Sequence, residues 1–93
     1  MTETFAVWKY EIEITDYFDL QIPEGSTILS VQVQERTPCL WALVNPNNPK
    51  RTYKFRLAGP GHPVKIEESD NYLGTFQMQG GALVFHLFLI YFY

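Results

Sequence analysis

The chain is a succession of short segments in which apolar and polar residues alternate, separated by turn-forming residues. Phe5 to Ile14 sets Trp8, Tyr10, Ile12 and Ile14 on one face and Lys9, Glu11 and Glu13 on the other. That period of two is the mark of a half-buried strand. After a turn at Thr15-Asp16, Phe18, Leu20 and Ile22 alternate with Asp19 and Gln21 as far as Pro23, so the two segments predict an antiparallel hairpin. Pro23-Glu24-Gly25-Ser26 turns the chain. A strand from Ile28 to Gln34 is then predicted, with Leu29, Val31 and Val33 inward and Ser30, Gln32 and Gln34 outward. Glu35-Arg36-Thr37-Pro38 makes another turn, and Cys39 to Val44 is apolar on both faces, which predicts a central strand covered on both sides.

Asn45-Pro-Asn-Asn-Pro-Lys50 is a loop, because its prolines lack a backbone donor and its asparagines tolerate left-handed geometry. Arg51 to Leu57 again alternates, Tyr53, Phe55 and Leu57 against Lys54 and Arg56, and Ala58-Gly-Pro-Gly-His-Pro63 follows as a second loop. Val64 to Asn71 is acidic and predicts a single helical turn or an irregular connection. Tyr72 to Tyr93 is two apolar runs about Gly80-Gly81, a β-hairpin and the most buried-looking stretch of the chain. The sum is all-β: one domain over residues 1–93, a small antiparallel β-sandwich or barrel of about seven strands with the C-terminal hairpin at its centre.

In the last strand Leu87, Leu89 and Tyr91 fall on one face and Phe88, Ile90 and Phe92 on the other, so it is apolar on both sides. Ala82 to Tyr93 would be about 40 Å long at roughly 3.3 Å per residue. A small sandwich has little material to cover such a strand. The expectation is a homo-oligomer whose interface holds Leu87, Leu89, Ile90, Tyr91 and Phe92, with 89–93 as an apolar extension of the domain. The same stretch is too short for a spanning helix, which needs about 20 residues, and His86 interrupts it.

Composition narrows the function classes. Charged residues are 18% of the chain and aromatic ones 16%, the balance of a packed domain with little charge to solvate its surface. The net charge of −3 argues against generic nucleic-acid binding, which needs clustered Lys and Arg. With one cysteine, Cys39, no internal disulfide is expected, and without a basic or apolar leader the expected compartment is the cytoplasm.

Candidate chemistry is sparse. The Gly59-Pro60-Gly61-His62-Pro63 loop could cradle a small anion, with Arg51, Lys54 and Arg56 on the solvent face of the preceding strand as its charge. His62 and His86 could ligate a metal or move protons, but no third ligand stands at a recognisable spacing, so no metal or cofactor is expected. Cys39 sits in an apolar strand where a thiol is inert, and no serine has a nucleophile context. Trp8, Tyr10 and Trp41 could stack a base, although the alternation puts Trp8 on a core face. No catalytic residue is assigned.

The phrases Ile-Leu-Ser-Val-Gln-Val-Gln at 28–34, Cys-Leu-Trp-Ala-Leu-Val at 39–44, Gly-Pro-Gly-His-Pro at 59–63 and Leu-Gly-Thr-Phe-Gln-Met-Gln-Gly-Gly-Ala-Leu-Val-Phe-His-Leu-Phe at 73–88 resemble a family of small phage, prophage and bacterial proteins catalogued as a domain of unknown function. The resemblance covers Trp8 to Phe88, departs at Pro60, where family members carry threonine, and does not extend to Leu89–Tyr93. It implies a phage context. The resulting expectation is a non-enzymatic, phage-encoded accessory protein that binds a host protein or a small anionic or nucleotide ligand, as in counter-defence. An assembly subunit working through its C-terminal strand is the alternative, and a small hydrolase or lyase using His62 with Arg56 is a further one.

Overall fold

A computed structural model describes residues 3–93, apart from the side chain of Phe92. Seven strands form it: β1 (Ala6–Glu11), β2 (Tyr17–Pro23), β3 (Thr27–Gln34), β4 (Thr37–Val44), β5 (Lys50–Ala58), β6 (Tyr72–Met78) and β7 (Leu83–Phe92). They make two antiparallel sheets, one in the order β1-β4-β3 and one in the order β2-β5-β7-β6. The fold is a β-sandwich and not a closed barrel.

Side chains of period two from both sheets fill the space between them. Leu40, Ala42 and Val44 of β4 and Val31 of β3 meet Ile22, Phe55, Leu57, Phe76 and Leu87 of the other sheet, all buried. Trp8 and Tyr10 pack against this core, as the alternation of β1 predicts. Phe18 and Phe55, directly opposite one another on β2 and β5, stack at 5.0 Å. Val64–Asn71 contains a single 3₁₀ turn, Ile66–Glu68.

The predicted β1–β2 hairpin does not form. β1 pairs with β4 and β2 with β5, so the chain crosses from one sheet to the other between them. A period of two fixes which face of a strand is buried but leaves its partner open. The crossing also ends β1 early: Ile12 is buried with its N–H on the carbonyl of Pro38, while Ile14 is exposed. In β3 a bulge between Ile28 and Ser30 ejects Leu29, predicted inward, to 50% exposure. β4 is the central strand of its sheet, with Cys39 and Leu40 buried and Trp41 and Leu43 half-buried.

The tail is corrected in three ways. β7 lies between β5 and β6, so the hairpin is central through β7 while β6 is an edge. Leu87 is fully buried inside its own sandwich, not laid open on an apolar extension, and Leu89 is half-buried against the same core. A register shift opposite Lys54/Phe55 bulges Ile90, which puts Tyr91 opposite Lys54 on the outer face with Phe88 and not on the face of Leu87. Tyr91 is exposed and Ile90 half-buried; the Phe92 side chain lies outside the described residues.

Candidate functional site

The loop residues expected to gather an anion are instead bound to each other. Gly59-Pro60-Gly61-His62 is a tight turn with proline at its second position and Gly61 at φ 82°, the requirement of a type II turn. The His62 N–H donates to the Gly59 carbonyl at 3.1 Å, and the Gly59 N–H donates to His62 Nδ1 at 3.1 Å. The imidazole thus serves to cap its own turn.

The cations of β5 are dispersed. Arg51 lies opposite Ile22 and reaches Glu24 at 3.6 Å, and Lys54 reaches Asp19 at 3.6 Å. Arg56, predicted on the solvent face, is only 4% exposed. It projects from the outer face of the four-stranded sheet, as alternation requires, but the connection from β5 to β6 crosses over it. Its Nη1 donates to the carbonyls of Asp16 (3.1 Å) and Leu57 (2.9 Å) and its Nη2 to that of Pro63 (2.7 Å), with Asp16 Oδ1 at 3.5 Å. Beside it the Tyr17 hydroxyl donates to the buried Glu68 carboxylate at 3.0 and 3.1 Å, and the Arg56 guanidinium lies over the Tyr17 ring. Residues 59–71 are therefore a strap pinned to the sheet at Arg56 and Tyr17. Of the expected residues, Arg56 pins this long connection and Gly59 and His62 close the turn at its start, while Arg51 and Lys54 pair elsewhere.

His86 belongs to a different group. It opposes Thr75 across β6 and β7, with Thr75 Oγ1 at 2.8 Å from its Nδ1 and the Tyr72 hydroxyl bonded to Thr75 in turn. Cys39 is buried, its thiol directed at the Thr37 carbonyl. Among the described residues no three His, Cys, Asp or Glu side chains converge. No described helix is long and apolar enough to cross a membrane.

A cleft with the geometry of a binding site lies at one end of the sandwich. Gln34 and Thr37 close a two-residue turn on Glu35 and Arg36, whose φ angles are 49° and 71°. Two successive positive φ angles define a type I′ turn, normally built from Asn and Gly. Met78 and Leu83 close the other turn, where Gln79, Gly80 and Gly81 have φ of 53°, 66° and 96°. Every non-glycine residue with positive φ among the described residues is thus in one of these two turns. Each such residue costs about 1–3 kcal/mol, and strain of this kind collects at ligand sites.

Because β3 packs against β6, the two turns face one another across a cleft of about 580 Å³. Val33 and Met78 give it apolar walls, Gln77 and Gln79 amide groups, and Arg36 a guanidinium. Arg36 makes no ion pair among the described residues, whereas Arg51 and Arg56 each have a carboxylate within 4.0 Å. In the sequence both stretches have the marks of turns alone. The signal was Glu-Arg at a two-residue hairpin position where Asn-Gly would be free of strain.

The chain matches the family model of a domain of unknown function (DUF7352) over residues 3–91 and belongs to that family. The match runs through Leu89 and Ile90 to Tyr91, past the limit at Phe88 that the motifs suggested. No curated protein and no solved structure matches the chain.

Proposed function

We propose that this member of the DUF7352 family works by binding, and that its ligand is a small anion with an apolar or aromatic body held in the end cleft. Arg36 carries the reading: an arginine without a carboxylate partner, raised on a strained turn beside an apolar-walled cleft within the size range of small-molecule sites, about 300–1,000 Å³. The guanidinium takes the anionic group in a bidentate fork, Val33 and Met78 receive the apolar body, and the amides of Gln77 and Gln79 fix its orientation. Withholding a nucleotide-like signal, the role drawn from the phage resemblance, is one use of such a site.

The test is an amide NMR titration with octanoate, adenosine monophosphate, inorganic phosphate and the neutral control octanol. Either amphipathic anion should shift Arg36, Gln77, Gln79 and the Gly80-Gly81 pair, and octanol should not. Arg36→Gly accepts φ of 71° without strain, so the fold should gain about 1 kcal/mol while anion affinity falls roughly tenfold or more. Failure of both amphipathic anions to shift these amides, or an Arg36→Gly variant that binds as well as the parent, would overturn the proposal.

A further inference from the structure

We infer that β1 is the edge along which two copies of this chain associate, antiparallel strand to strand, with Tyr10 of each copy on the two-fold axis; this is independent of the cleft. The sandwich has four edge strands: β1 and β3 in one sheet, β2 and β6 in the other. Each edge leaves a row of backbone N–H and C=O groups without a ladder partner. Bulges and prolines protect an edge against any foreign strand, whereas edge charges repel only a strand that does not complement them in sign. β3 is bulged at Leu29, β6 is irregular between Tyr72 and Gly74, and β2 ends in Pro23. β1 has no bulge and no proline, and its pairing with β4 is unbroken from Ala6↔Val44 to Glu11↔Cys39.

The outer face of β1 carries Val7, Lys9 and Glu11, all exposed. Antiparallel pairing about Tyr10 sets Lys9 of each copy directly opposite Glu11 of the other, twice per dimer, at cross-strand contact distance. On the inner face it sets Trp8 opposite Ile12, continuing the apolar layer from one copy to the next. A slip by one residue exchanges the faces. A slip by two sets Lys9 against Lys9 or Glu11 against Glu11, so the charges select this register and this partner. Lys9 now donates to Gln34 Oε1 at 2.9 Å, an exposed bond that leaves its other ammonium protons for Glu11.

Sedimentation equilibrium over a concentration series tests the assignment. The parent chain, 10.8 kDa, should approach twice that mass, Lys9→Glu should raise the dissociation constant at least tenfold, and the exchange Lys9→Glu with Glu11→Lys should restore the dimer. Circular dichroism of each variant checks that it is folded. A parent that stays monomeric, a dimer that survives Lys9→Glu, or a folded exchange variant that stays monomeric would each sink the proposal.

Discussion

Tyr10 carries its hydroxyl into the sandwich, where it is buried without a hydrogen-bond partner. Burial withholds solvation from the phenolate, and Tyr53 nearby adds repulsion, so the Tyr10 pKa is raised above its ordinary 10.0. The sign follows from linkage: above pH 10 the unfolded chain loses this proton while the folded chain still holds it, so the unfolded state binds fewer protons. Stability due to this group is complete below pH 10 and is lost as pH rises through the folded pKa. Tyr10→Phe removes a buried polar atom that nothing satisfies and keeps the ring. It should stabilise the fold by about 1 kcal/mol at neutral pH. Urea unfolding of both proteins at neutral pH and above pH 10 checks this, the parent losing more stability than Tyr10→Phe.

Strands were legible as elements because alternation is a property of single segments; partners were not, because they are chosen at a distance. Trp8, Tyr10, Phe18, Phe55 and Leu57 fell on the faces expected of them. Leu29 and Tyr91 did not: Leu29 is itself the extra residue of a bulge, with Val31 and Val33 past it on the expected face, and Tyr91 lies past a bulge at Ile90 that inverts the alternation. Thr75 opposite His86 was within reach: once Met78 and Leu83 flank the final turn, counting back along both strands pairs them. Arg56 was out of reach, because alternation reported the outer face correctly and could not report the strap that covers it. The strap yields a prediction of its own. Arg56→Met keeps an apolar stem of similar length but takes the guanidinium from the carbonyls of Leu57 and Pro63 and from that of Asp16, which keeps only the Leu57 N–H. The cost should be about 3 kcal/mol, and because the strap is released locally, trypsin should cut at Lys65 faster than the loss of global stability explains. Cleavage rates at Lys65 set against urea midpoints distinguish the two.

For the whole molecule the distance between the sheets is the governing quantity, and it is set where β3 lies over β6. Gly74 faces the interior opposite Leu87, and a Cβ added there would stand 2.7 Å from Val31 Cγ1, closer than side chains approach. Glycine at this position therefore lets the sheets come together at that edge. The same pair of strands, farther along, carries Val33 and Met78, the apolar walls of the cleft. Sheet spacing and cleft width therefore share one interface, in which Gly74 against Val31 is the tightest approach a side chain would meet at a glycine. Gly74→Ala should cost about 1–3 kcal/mol by overpacking and should also weaken binding of whichever anion the cleft takes. Val31→Ala alone should cost a similar amount by leaving a cavity. In the double variant the new methyl occupies the space that valine vacates, so its loss of stability should be smaller than the sum of the single losses by at least 0.5 kcal/mol or so, with anion affinity recovering in parallel. A double-mutant cycle in urea, with the amide titration repeated on all four proteins, measures both. Additive losses would show that the sheets are held apart by contacts other than Gly74 against Val31.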